Sequence, residues 1–397
     1  MSPRAPVEDW LTDWDHLDPR WIEDPFPIWD GIRISQCPIA HTERFRGAYL
    51  PTRYDDIRAI AYDPEHFSSR QVVVRDNPPP VEGGGAPPIT SDPPRHRAAR
   101  MVLLPPFTPQ AIDKLTPKAR AVCNELIDAF IGKRRCDAAL DYAQHIPVRV
   151  IAHMLGIPDG DGDRFRKWIH EIVEVGTTDE TVLMRALEEI TEYFQGHMQA
   201  RRTKPGDDLI SYLLTAKYPD GQPFKDNHIL GSLRLLLVAG IDTTWSGIGA
   251  SLWHLAKTPS DRQRLVEEPT LVPTAIEEFL RAYAPVTMAR LIAKDTTLNG
   301  CTFKEGEMVM LAFPAANRDP AVFPDADKVV IDRKENPHAA FGLGIHRCVG
   351  SNLARMEMTV AVEEFLKRIP DFELAGEVRW SEGAIRGPRR LPMTFSR

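Results

Sequence analysis

The chain has 397 residues, 43% of them hydrophobic and 26% charged, a balance that excludes a disordered chain, a coiled-coil rod and a collagen-like fibre. The net charge is −7, from 49 Lys and Arg against 56 Asp and Glu, whereas a nucleic-acid binder is expected to carry a basic domain. Thirty-five prolines imply many connections and strand edges rather than a plain helical bundle.

The N-terminus, MSPRAPVEDWLTDWDHLDPRW, has neither the apolar core of a signal peptide nor an 18-residue apolar span. The five cysteines form no CxxC pair, which predicts a reducing, cytoplasmic setting with mostly buried thiols. Nothing in the pattern predicts a membrane span. Residues 1–70 read as a lead-in, with a strand end at Tyr49–Tyr54 and a short helix over Asp55–Tyr62. Residues 77–94 are too rich in proline and glycine for regular structure, and a loop of that length is usually functional or disordered. Helical spacing of apolar residues follows over Ala111–Ile131, Ile146–Leu155, Asp163–Val175, Val182–Arg201 and Leu209–Ala216. Asn227–Lys257 is the longest helical pattern, apolar enough in its middle to be a buried central helix. Pro273–Tyr283 is another helix. The texture then alternates, with turn signals at Asn299-Gly300 and Glu305-Gly306, and predicts a small antiparallel sheet. A proline-rich meander follows to Pro337, then a helix from about Cys348 to Ile369 and short strands in 371–397. The expected fold is mainly α with small β-sheets, as one domain over 1–397.

Three constellations carry chemistry. In Phe341-Gly342-Leu343-Gly344-Ile345-His346-Arg347-Cys348-Val349-Gly350, two glycines permit a tight turn and the cysteine precedes a helix. The N–H groups and positive end of that helix favour a thiolate, which suits axial ligation of haem iron. A structural cysteine, or a zinc pair of His346 and Cys348, are the plainer readings; zinc needs four ligands, and no second pair is visible. The second constellation is Ala239-Gly240-Ile241-Asp242-Thr243-Thr244, where Gly240 and a back-bonding threonine can bend the helix. A packing glycine with self-capped threonines is the alternative there, but a buried Asp242 is costly without a partner. The third, Glu278-Phe279-Leu280-Arg281, puts opposite charges three apart on one helical face, a weak signal by itself.

The cysteine segment resembles the haem-binding signature of the cytochrome P-450 superfamily, the haem-thiolate monooxygenases. Phe341, Gly344, Cys348 and Gly350 fill every fixed place of that pattern, and His346 its usual histidine. The resemblance runs from about Thr52 to Leu391 and includes Asn317-Arg318-Asp319-Pro320. It implies haem b lying between the central helix, beside Ala239, and the helix after the cysteine loop, with Cys348 on the iron. It implies that Thr243 hydrogen-bonds the dioxygen or its waters and that Asp242 gates proton delivery. It implies a structural triad of Glu278, Arg281 and a meander arginine, Arg333, and haem propionates held by His96, Arg100, Arg290 and His346.

By the same resemblance the pocket is walled by the 72–89 loop, with its mobile glycine run at 83–85, and by Leu235, Val238, Ala239, Thr243, Val286, Thr287 and Met288. These side chains are mostly apolar or small, so a small to medium apolar organic substrate is expected, for hydroxylation or oxidative O-demethylation. No flavin or iron–sulfur signature is visible in the chain, so a separate ferredoxin and its reductase are the expected electron donors. Arg97, Arg347 and Arg355 are expected to form the basic docking face. A monomer is expected. A haem protein that uses peroxide or isomerises its substrate, and a gas-binding sensor, are the competing classes; the first often lacks the acid–alcohol pair, and the second calls for an output domain.

Overall fold

A computed structural model describes residues 4–76 and 85–396. Gly83 and Gly84 of the expected mobile glycine run lie outside the described residues.

The central helix spans Asp226–Lys257, about 48 Å at 1.5 Å per residue. Among the described helices it alone is long and apolar enough to cross a bilayer, but two-thirds of its apolar window is buried inside the protein (67%). Its composition is that of a core helix, hydrophobic on most faces because it is packed on most faces. The helix after the cysteine runs Ser351–Arg368 and begins about three residues later than the sequence pattern suggests, behind an N-cap at Gly350. These two helices lie in one apolar core with Thr116–Phe130, His145–Leu155 and Glu180–Thr203.

Most predicted helices are present within a few residues. Side-chain caps explain several starts: Asp179 accepts from the Val182 N–H and Asp208 from the Ser211 N–H. The predicted Ala111–Ile131 helix is two helices, Pro109–Asp113 and Thr116–Phe130. Pro117 sits in the first turn of the second helix and has no N–H to continue the first. A helix over Pro259–Glu267 was not expected from periodicity.

The predicted antiparallel sheet is more entangled. Met288–Ile292 and Met308–Leu311 do pair antiparallel. The intervening hairpin, Thr296–Leu298 with Cys301–Phe303, is a separate sheet. Met308–Leu311 also pairs in parallel with Ala48–Pro51, which in turn pairs with Ile39–Thr42, and Phe67–Ser68 closes the other edge. The first 70 residues therefore supply three of the five strands. Their apolar side chains pack with this sheet in two further cores, one containing Trp14, Trp21 and Trp29. The C-terminal stretch forms short strands as expected, with Pro392–Phe395 between Arg135–Asp137 and Phe372–Leu374.

Candidate active site

The cysteine loop is shaped by its glycines. Gly342 and Gly344 have φ of +70° and +67°, backbone that a side chain strains. A Cβ on Gly344 would meet the Ala61 carbonyl oxygen at 2.3 Å, so the loop seats directly on the end of the Tyr54–Ala61 helix. The Cys348 N–H donates to the Phe341 carbonyl at 2.8 Å, closing the loop. Burial pushes the Cys348 thiol up, against the Gly350 N–H, Arg100, Arg355 and Arg347, which pull it down. This corrects the expectation that the helix end alone favours a thiolate: desolvation is the larger effect, and a bound cation would have to tip the balance. The expectation of mostly buried thiols also fails: only Cys123 and Cys136 are buried, Cys301 is half-buried and Cys37 is exposed, while Cys348 keeps accessible surface although protein packs closely around its sulfur.

The central helix shows where a flat group would lie. Leu235, Val238, Ala239, Gly240 and Thr243 retain exposure, while Leu236, Leu237, Ile241, Asp242 and Thr244 are buried. Residues 235, 239 and 243 stand one turn apart, so one face of the most enclosed helix lines an open space. Thr243 Oγ1 donates to the Ala239 carbonyl at 2.7 Å, the back-bond that sequence anticipates, and the helix is continuous through this turn.

A basic cluster lies beside the cysteine loop. Arg290 is buried and donates to the Ala289 carbonyl at 2.7 Å, with no ion pair among the described residues. Burial lowers it to about 10. The His96 and His346 rings meet edge to face at 4.3 Å, and His96 Nε2 is buried without a partner. Burial first, then Arg290, His96 and Arg100, hold His346 down at about 3. Both imidazoles are therefore neutral near pH 7 and serve as polar partners rather than charges. The nearby carboxylate, Asp92, is engaged by Ser68 Oγ at 2.5 Å and the Ser69 N–H at 2.8 Å. Arg100 and Arg290 thus face the loop without a carboxylate of their own, which fits a ligand bearing two carboxylates, as haem does. The exposed helix face and the Cys348 sulfur fit its ring and iron. Among the described residues no cluster of three or more His, Cys, Asp or Glu suits a free metal ion.

Glu278 and Arg281 are fully buried, not the exposed pair their motif alone would suggest. Glu278 accepts from Arg281 Nε and Nη2 at 2.8 and 2.7 Å, from Arg333 Nε at 3.0 Å and from the Val330 N–H at 2.8 Å. Arg281 also donates to the carbonyls of Asn317, Ala326 and Lys328. The triad staples the meander to the Val272–Ala282 helix.

Asp242 has a partner that sequence reasoning missed. Arg389 Nη2 binds it at 2.9 Å, and the same guanidinium holds Ser246 Oγ at 3.0 Å and Glu174. Burial raises Asp242 to about 6, against the pull of Arg389. Glu357 was also missed. It is buried, and burial pushes it well above the usual range, with only the nearby Thr244 hydroxyl pulling it down. One further correction applies. Arg355 is not a free surface cation, because Glu277 holds it at 2.6 Å. Thr287 Oγ1 donates to the Ala384 carbonyl at 3.2 Å and, with Trp21, Trp29 and Ser381, lines a narrow cavity. Met288 is half-buried opposite Leu311.

Comparison with known proteins agrees with this geometry. The family model for cytochrome P-450 matches residues 175–375. The chain is 36% identical to the mycinamicin IV hydroxylase/epoxidase of Micromonospora griseorubida, covering 88% of this chain and 89% of that one. It is 33% identical to the vitamin D(3) 25-hydroxylase of Pseudonocardia autotrophica, covering 94% of each. The solved structure of the bacillaene polyketide synthase cytochrome P-450 PksS of Bacillus subtilis superposes with a TM-score of 0.89 at 31% identity, over 97% of this chain and 100% of that one. The chain belongs to the cytochrome P-450 family. It is a monooxygenase of that class, an oxidoreductase for which haem with a cysteine thiolate is the implied cofactor.

Proposed function

We propose that this protein inserts one oxygen atom of dioxygen into a small to medium apolar organic substrate, by hydroxylation or oxidative O-demethylation. It would work as a cytoplasmic monomer, a single domain holding haem b through Cys348. A separate ferredoxin and its reductase would supply electrons. The observation that carries this reading is the glycine-turned Cys348 loop with Arg100 and Arg290 beside it and without carboxylate partners among the described residues, together with a buried central helix that keeps one face exposed.

Haem, when bound, supplies the activation of dioxygen. The chain supplies the setting. Cys348 would ligate the iron, held by the glycine turns and the Phe341 carbonyl. Arg100, Arg290, His96 and His346 would hold the propionates. Leu235, Val238 and Ala239 exclude water from the reacting face and offer apolar contact. Thr243 presents a hydroxyl there, and Asp242, one residue away, gains and releases a proton near neutrality. Arg97 and Arg347 are exposed and remain the cations for an acidic electron donor.

The test is oxygen uptake with purified ferredoxin, reductase and a panel of apolar compounds selected by spin-state change. Substrate-dependent uptake matched by oxygenated product supports the proposal. Electron-independent turnover with peroxide, or conversion without net oxygen incorporation, would replace it with one of the competing classes.

A further inference from the structure

Glu277 precedes the buried Glu278 but serves a different set of partners. Its carboxylate accepts from Arg355 Nε at 2.6 Å and Arg355 Nη2 at 2.9 Å, and it binds His338 Nε2 at 3.0 Å. His338 stands three residues before Phe341, and Arg355 seven residues after Cys348. One carboxylate therefore ties the chain entering the cysteine loop to the helix leaving it. Between these ties lies Phe341. The Arg355 guanidinium sits over its ring at 4.4 Å, and the His338 ring lies 6.0 Å from it. The Phe341 carbonyl in turn accepts the Cys348 N–H at 2.8 Å.

We propose that Glu277 is a positioning residue for the Cys348 ligand loop, clamping both arms of the loop and neutralising Arg355 where it stacks on Phe341. This rests on the reading of Cys348 as the haem ligand. It concerns a carboxylate outside the Glu278–Arg281–Arg333 triad. The clamp has two separable effects. The bidentate, charge-assisted pair restricts how Phe341 and Cys348 move together. The negative charge offsets a guanidinium that would otherwise favour negative charge at the sulfur and disfavour the ferric state.

The experiment uses the haem-loaded protein and reads the ferric/ferrous potential and the carbon-monoxide difference spectrum of wild type, Glu277→Gln, Glu277→Asp, Arg355→Met and the double variant Glu277→Gln/Arg355→Met. Glu277→Gln should shift the potential upward and Arg355→Met downward, with the double variant returning towards wild type. Conversion of the thiolate band to a non-thiolate band on mild heating should be about tenfold faster in Glu277→Gln, the factor for one charge-assisted hydrogen bond. Glu277→Asp keeps the charge and should restore most of the potential; it and Arg355→Met carry the test if Glu277→Gln does not load haem. A merely structural loosening would move every potential the same way. Same-direction shifts, or potentials and conversion rates equal to wild type, overturn the proposal while leaving Cys348 as ligand. A wild-type protein without a thiolate band overturns both.

Discussion

Arg389 should set the protonation of Asp242, and its removal should displace the pH profile of turnover. Asp242 is buried and titrates near 6, so at pH 7 it is ionised about ten to one. Its cation stands 2.9 Å away. At an effective dielectric of about 20 the pair is worth about 6 kcal/mol, or about 4 pK units. Arg389→Met should realise only part of this, because the site relaxes. Half of it, about 2 units, already makes the protonated form dominant about ten to one at pH 7. Glu174, which shares Arg389, is then left as an uncompensated neighbour and pushes in the same direction. The assay is product formed per electron consumed, measured from about pH 5 to 9, with Asp242→Asn alongside. The acidic limb should move upward by about 2 units, and turnover at pH 7 should approach that of Asp242→Asn. A variant that keeps the wild-type limb and coupling would refute the assignment of Asp242's charge state to Arg389.

Other outcomes follow from the same geometry. Because Asp242 binds its proton more tightly folded, rising to about 6 from 3.8, folding stability contributed by this group is lost as pH rises between those values. The loss is about 3 kcal/mol, and Asp242→Asn should flatten that slope in denaturant titrations. Glu278→Gln strands two buried arginines and should cost about 3–5 kcal/mol, read as poor haem retention and a lowered denaturation midpoint. Gly344→Ala places a Cβ 2.3 Å from the Ala61 carbonyl oxygen and should disrupt the loop, while Gly350→Ala, whose Cβ would sit 3.8 Å from the Cys348 sulfur, should fold normally; comparable thermal midpoints would contradict the packing argument. Thr243→Ala should release more peroxide per electron, and unchanged coupling counts against its hydroxyl at the oxygen-facing surface.

Much of this was legible in the sequence because the signals are local. Helical periodicity found the central helix, the string around Cys348 located the glycine-turned cysteine loop, and the spacing of Glu278 and Arg281 fixed their shared face. Failures arose where partners are distant. Arg389 is 147 residues from Asp242 and sits in a C-terminal strand with no motif of its own. Arg355 reads as a surface charge on its helix until Glu277, 78 residues earlier, turns it onto Phe341. The parallel pairing of Ala48–Pro51 with Met308–Leu311 joins segments whose alternation predicts strands but not neighbours. The direction of the Cys348 thiol depends on how completely the loop is desolvated, which spacing does not report.

The central claim is that Cys348 is the haem ligand in a monooxygenase site. The most direct measurement is the absorption spectrum of the reduced protein with carbon monoxide, for wild type and Cys348→His. The account predicts a strongly red-shifted Soret band in the wild type and its loss in the variant. A wild-type band at the position of histidine-ligated haem, or protein that takes up no haem, would contradict it.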